Sequence, residues 1–294
     1  MRVNPLPSKR MVLAAALILL VMLAVGSFAD YPISLALYHP DNPLGRLLAG
    51  FGEYPAALGF SAAGAMLLFA RNRERRLTGM LQMIAGCWFI LSGGTMAATL
   101  PTGYLDIPVF LSIVIGVVGT GLTVWGVLIL CRGADRKTVL RVAAAFLLVI
   151  FADILVVNLI KIPWGRARMR LVASDARAYF IPWWQPGTEL RDVLTAAGVP
   201  KEEFKSFPSG HSANSSSLML LSLLPMLRPQ WNCRKTALFC AGFGWALAVA
   251  VSRIVMGAHY LSDTAVGLAV GLAALVVICR LLFSVRSTPG IPSA

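Results

Sequence analysis

Eight apolar runs separated by short polar stretches set the pattern of this chain, at about residues 11–28, 54–70, 77–100, 109–131, 139–160, 212–227, 236–256 and 264–283. Runs of this length and apolarity read as membrane-crossing helices, because lipid offers no partner to an exposed backbone amide and a helix satisfies its own. The pattern predicts an all-α fold, a polytopic transmembrane helical bundle of about eight spans. The polar stretches fix its sense. Arg71–Arg76, Arg132–Arg141 and Arg228–Lys235 are basic and fall on one side, whereas Thr102–Pro108 on the other side has no Lys or Arg. Cytoplasmic loops carry the excess of positive charge, so both termini are expected inside.

The first run follows three basic residues within Met1–Arg10, and Ser27-Phe28-Ala29 has the look of a signal-peptidase site. The run is long for a signal sequence, so it is read as a retained span. Asp30–Glu53, with Pro32, Tyr38, Pro40 and Pro43, is expected outside as an interfacial loop of short amphipathic pieces. The division expected is an N-terminal pair of spans over 1–76 and a core over 77–294, with an outer loop at 161–207.

Composition agrees: 57% of the 294 residues are hydrophobic and 13% charged, which excludes an ordinary soluble domain. A net charge of +13 would suggest nucleic acid in a soluble protein, but here most basic residues serve topology and no nucleic-acid partner is expected. None of Cys87, Cys131, Cys233, Cys240 and Cys279 has zinc-ligand spacing, so free thiols and no metal are expected.

The outer stretch Lys161–Phe207 breaks the charge rule. It carries Lys161, Arg166, Arg168, Arg170, Arg177, Arg191, Lys201 and Lys205 on the side that should be poor in cations. Snorkelling anchors account for single residues at span ends, not for so many on the wrong side, so an anion is expected there. Trp164, Phe180, Trp183 and Trp184 in the same stretch read as an interfacial belt that also shapes a lipid-facing entrance. Trp164, Arg166 and Arg170 are possible substrate contacts.

Three short stretches carry candidate chemistry. In Ser252-Arg253-Ile254-Val255-Met256-Gly257-Ala258-His259-Tyr260-Leu261-Ser262-Asp263, a helix from His259 onward would set Asp263 on the same face, where its carboxylate accepts a hydrogen bond from the imidazole and raises its basicity. His259 is then a plausible nucleophile. In Phe207-Pro208-Ser209-Gly210-His211-Ser212, a helix N-terminus lets the backbone N–H groups of Ser209 and Gly210 cradle a phosphate beside a second histidine. Lys161 and Arg168, seven residues apart, return to one helical face unless Pro163 ends the helix, and with Arg253 they supply cations for a phosphate dianion. Ser206 and Ser212 flank the cradle as donors or caps. His39 reads as structural or solvent-facing. Asp153 is expected to hydrogen-bond across a helix interface to the polar run Ser212–Ser217.

In order, spacing and membrane setting these stretches resemble the type-2 phosphatidic acid phosphatase superfamily: lysine, six residues, arginine; then Pro208-Ser209-Gly210-His211; then Ser252-Arg253, five residues, His259, three residues, Asp263. The resemblance covers about Lys161 to Asp263. It implies a six-helix phosphatase-type core, an extracytoplasmic active site, a phosphohistidine on His259, His211 as the acid that protonates the leaving oxygen, and no metal or other cofactor. Two departures stand out. Met169 follows Arg168 where the family usually has proline, and the lysine motif follows the fifth span rather than the third.

The expectation is a multi-pass inner-membrane phosphatase acting on a lipid phosphate or diphosphate of the undecaprenyl diphosphate, phosphatidate, phosphatidylglycerophosphate or lipid A type. A lipid-to-lipid phosphotransferase is the nearest alternative, since water and an acceptor lipid compete for one phosphohistidine. A transporter of anionic lipid or phosphate is less favoured because the charges gather at one end of the bundle. A vanadate-dependent halide oxidase is disfavoured by the eight spans.

Overall fold

The computed structural model describes residues 6–283, which are helical with no strand among them. Arg2, one of the basic residues ahead of the first run, and the tail after Phe283 lie outside the described residues. The helices are α1 (Lys9–Leu37), α2 (Pro43–Phe51), α3 (Tyr54–Phe69), α4 (Arg76–Thr99), α5 (Val109–Cys131), α6 (Arg136–Trp164), α7 (Met169–Ser174), α8 (Thr188–Ala196), α9 (Gly210–Ser216), α10 (Leu224–Leu227), α11 (Lys235–Val255) and α12 (Leu261–Phe283).

Among the described residues, the helices α1, α4, α5, α6, α11 and α12 are those long and apolar enough to cross a membrane. The other two apolar runs take different forms. α3 is a 16-residue helix whose small residues, among them Ala56, Ala57, Gly59, Ala62, Ala63 and Gly64, let α4, α5 and α6 close around it. The run after Gly210 begins as α9, turns into a 3-10 stretch over Ser217–Leu223 and ends as α10. Ser215 and Ser216 donate to the carbonyls three residues back, at 2.8 and 2.6 Å, a local alternative to the α-helical ladder. Because a 3-10 helix rises about 2.0 Å per residue, Gly210–Leu227 extends roughly 30 Å, close to the hydrocarbon thickness.

Asp30–Leu37, expected as loop, instead continues α1 through Pro32. The helix can carry Asp30 into the protein because a buried arginine neutralises the carboxylate, as described below. α2 is the short amphipathic piece expected after it, with Pro43 at its start and Asn42 Oδ1 accepting the Gly45 N–H at 2.8 Å.

One continuous apolar core runs from Ala15 and Leu19 on α1 through Ala63 and Met66 on α3 and Ile150 on α6 to Leu268 and Cys279 on α12. α1 and α3 therefore share their interior with the helices that carry the motifs. A second, smaller core of Ala167, Leu171, Ile181, Leu190, Leu194 and Phe204 makes 161–207 a folded cap. α4 and α5 present Ile84, Trp88, Leu91, Val117, Leu122 and Trp125 outward, a surface suited to lipid. All five cysteines are unpaired, as expected.

Candidate active site

The turn from α11 into α12 sets the centre of the site. Gly257 takes φ +62°, in the left-handed region, and the Tyr38 ring packs where a Cβ would stand; only glycine meets both demands cheaply. The chain then passes through His259 and re-enters helix at Leu261. Asp263 lies in that first turn, and its Oδ2 accepts the Tyr260 N–H at 2.8 Å, the returning half of a capping box.

His259 is 2% exposed, and its Nδ1 lies 2.6 Å from the Ser206 carbonyl oxygen. A carbonyl only accepts, so Nδ1 holds the proton and Nε2 keeps its lone pair. Asp263 stands 3.9 Å from Nδ1, and its Oδ2 accepts from Ser206 Oγ at 2.5 Å. The carboxylate thus acts on the imidazole through Ser206, not by the direct hydrogen bond expected from the four-residue spacing. The physical reason is that α12 begins after His259, so the helical geometry assumed for the pair does not apply.

Arg166, a possible substrate contact by sequence, is wholly buried and turned away from that role. Its Nη1 meets Asp263 Oδ1 at 2.5 Å and Ser262 Oγ at 3.0 Å, its Nη2 meets Asp30 Oδ2 at 2.9 Å, and its Nε donates to the Ile181 carbonyl at 2.8 Å. The guanidinium also lies 4.2 Å from the Tyr260 ring centroid. Asp30 further accepts from the Ser262 N–H at 2.9 Å and from Ser262 Oγ. Arg170 is likewise committed, gripping Glu203 at 2.6 and 2.9 Å, and Trp164 donates to the Trp183 carbonyl at 3.0 Å while packing on Phe207. Arg166 and Trp164 tie the cap to the bundle helices, and Arg170 braces the cap internally.

Lys161 and Arg168 do meet, but not along one helix. Gly165 at φ +70° ends α6 just past Pro163, and backbone bonds from Arg168 N–H to the Glu203 carbonyl (2.8 Å) and from Ser206 N–H to the Arg166 carbonyl (3.1 Å) fold the chain back. Arg168, Asp263, Glu53 and Arg253 are the charged neighbours of Lys161. Met169, where the resemblance leads one to expect proline, is the first residue of α7, a position whose N–H has no helical acceptor, so either residue fits.

Ser209 caps α9, accepting the Ser212 N–H at 3.3 Å, and its own N–H donates to the Asp263 carbonyl at 3.0 Å. The Ser209 N–H is therefore not free for a phosphate, whereas Gly210 opens the helix beside Lys161, whose Nζ would lie 3.4 Å from a Cβ there. Arg253, 2% exposed, lies against the Tyr104 ring at 5.0 Å. Arg253 Nε and Nη1 and Arg168 Nε are buried without hydrogen-bond partners among the described residues, and an anion among them would satisfy donors that are costly to leave unpaired. Burial, and then the charges of Lys161, Arg168 and Arg253, hold His259 well below the ordinary imidazole range, so it is neutral.

Tyr104 and Glu53 complete the site, and neither stood out in the sequence. Tyr104 comes from the α4–α5 connection and meets the His211 ring edge-on at 5.5 Å. Glu53, between α2 and α3, has Oε2 3.5 Å from His211 Nε2. Burial raises its carboxyl above the usual range, opposed by an Asn214 hydrogen bond and by Arg253 and Lys161. The spacing of His211 and Asn214 on one helix face was the available signal. Asp153 does not bond to the serine run; neither of its oxygens has a partner among the described residues. The hydroxyls of Ser212, Ser215 and Ser216 turn to their own segment instead. His39 is exposed and ties its N–H to the Val255 carbonyl at 2.9 Å.

An imidazole nitrogen free of its proton, a second imidazole and three cations, of which Arg168 and Arg253 have unpaired donors among the described residues, make an arrangement chemically suited to phosphoryl transfer. The family model described as PAP2 superfamily matches residues 142–286, just under half of the chain. Over those residues the chain is similar to the PAP2 superfamily. The matched segment holds Lys161, Arg168, Ser209, Gly210, His211, Arg253, His259 and Asp263, and the similarity together with the apolar helices supports a membrane-type phosphatase fold. Asp30, Glu53 and Tyr104 reach the same site from outside the PAP2 match. A comparison with curated proteins found no match.

Proposed function

We propose that this protein hydrolyses a phosphomonoester or diphosphate on a lipid at the extracytoplasmic face of the cell's inner membrane, through a phosphohistidine on His259. The observation that carries the reading is the Nδ1 contact to the Ser206 carbonyl, which leaves His259 Nε2 as an unprotonated nitrogen beside three cations. In the first step a P–N bond forms to Nε2 as the bond from phosphorus to the leaving oxygen breaks, and His211 gives that oxygen a proton. Lys161, Arg168 and Arg253 stabilise the charge on the equatorial oxygens. In the second step water attacks phosphorus, His211 takes its proton, and the P–N electron pair returns to Nε2. Asp263, braced by Arg166, fixes Ser206 and so the imidazole. The basic loops at 71–76, 132–141 and 228–235 support the outward orientation of the site.

The test is phosphate release by detergent-purified protein, with EDTA present, from undecaprenyl diphosphate, phosphatidate, phosphatidylglycerophosphate and lipid A. His259→Ala should lower turnover by several orders of magnitude. Wild-type rates in that variant would refute the covalent route, and release that begins only when a second lipid is added would make the protein a phosphotransferase.

A further inference from the structure

Glu53 lies outside the PAP2 match, yet its carboxylate is built into the site. Asn214 Nδ2 donates to Oε1 at 2.6 Å, which turns Oε2 toward His211 Nε2 at 3.5 Å. His211 and Asn214 stand three residues apart on α9, so one carboxylate spans two residues of one helix face. The side chains of Glu53 and His211 are 14% and 16% exposed, largely shielded from water that would screen them.

His211 needs such a neighbour. The groups facing it are Lys161 from α6, Arg168 after it, Arg253 from α11, His259 ahead of α12 and the Tyr104 ring. Three of these are cations and oppose a proton on the imidazole. Asp263, the other carboxylate of the site, is committed to Arg166, Ser206 and Tyr260. A histidine in that field loses its proton before it can give it to a leaving group, unless a negative charge is held against it.

We infer that Glu53 is a positioning residue for His211: its carboxylate holds Nε2–H and favours the imidazolium, which leaves Nδ1 to protonate the leaving oxygen. The inference rests on the phosphatase reading above. Glu53 itself gains and loses no proton in the cycle. The proton leaves His211 for the alkoxide oxygen when the P–O bond breaks, and is replaced from the attacking water when the P–N bond breaks. The PAP2 machinery is thereby completed by a residue of the N-terminal region.

The full-length protein in detergent micelles is assayed with dodecyl phosphate, whose alkoxide needs a proton, and with p-nitrophenyl phosphate, whose leaving group does not. For Glu53→Gln, kcat on dodecyl phosphate is expected to fall roughly 10- to 100-fold, as for impaired general-acid catalysis, with less than about a threefold change on the aryl ester and partial recovery in Glu53→Asp. Equal losses on both esters, or no loss on dodecyl phosphate, would overturn the inference. A readout independent of turnover is the NMR titration of labelled histidine, with the His211 signal assigned by its absence in His211→Gln. Its midpoint should move to lower pH in Glu53→Gln, and an unmoved midpoint would also overturn the inference. A wild-type protein that hydrolyses neither ester while the titration shifts as expected would count against the phosphatase reading and not against the Glu53–His211 pair.

Discussion

Asp30→Ala is the substitution that best tests whether α1 is part of the catalytic apparatus. Arg166 is fully buried between Asp30 and Asp263, whose side chains are 1% and 0% exposed. Removing Asp30 strands Arg166 Nη2 and the Ser262 N–H, both of which now donate to it at 2.9 Å. Breaking a buried ion pair by deleting one partner costs about 3–5 kcal/mol, and because Asp263 still balances Arg166 the lower end applies. At roughly 2–4 °C per kcal/mol for a chain of this size class, the apparent Tm should fall by about 6 °C or more. Arg166, no longer held from the α1 side, then pulls on Asp263, Ser206 and the Nδ1 anchor of His259, so kcat should fall more than KM rises. The assays are thermal unfolding in detergent and steady-state phosphate release, with Asp175→Ala as control because its pair with Arg177 lies at the surface. An Asp30→Ala protein with wild-type Tm and wild-type kcat would refute the argument that this network supports the site.

Other outcomes follow from the same geometry. Arg253→Ala should cost roughly 2–4 kcal/mol of transition-state stabilisation, like loss of one oxyanion donor, read as a fall in kcat/KM. Gly257→Ala forces a Cβ into the left-handed region against the Tyr38 ring, and should destabilise by about 1–2 kcal/mol from backbone strain alone while displacing His259. Because His259 is held below the ordinary range near 6.5, it stays neutral as pH falls through that value, so the acid limb of kcat/KM should lie below about pH 6.5. The unfolded chain binds that proton first, so stability should decline as pH drops below about 6.5, with a shallower slope in His259→Gln.

The apolar runs determined the helical bundle by themselves, because a backbone in lipid has few ways to satisfy its hydrogen bonds. The order and spacing of Lys161, Arg168, Ser209, Gly210, His211, Arg253, His259 and Asp263 were enough to indicate phosphoryl chemistry, since those residue types are expensive in a membrane setting without a ligand or partner. What the sequence could not express was which of several plausible partners each group takes. Arg166, Arg170 and Trp164 looked equally available for substrate, yet Asp30, Glu203 and Trp183 claim them. Asp263 looked like the direct partner of His259, yet the late start of α12 puts the Ser206 carbonyl in between. Asp30 lies 136 residues from Arg166 and Glu53 lies 161 from Asn214, separations across which no local periodicity speaks. Local composition and spacing determined most of the helices and marked the candidate groups. Only the packing of α1, α2 and α3 against the PAP2 segment decided how those charges are neutralised, because a buried charge is fixed by whatever the tertiary structure sets within a few ångströms of it.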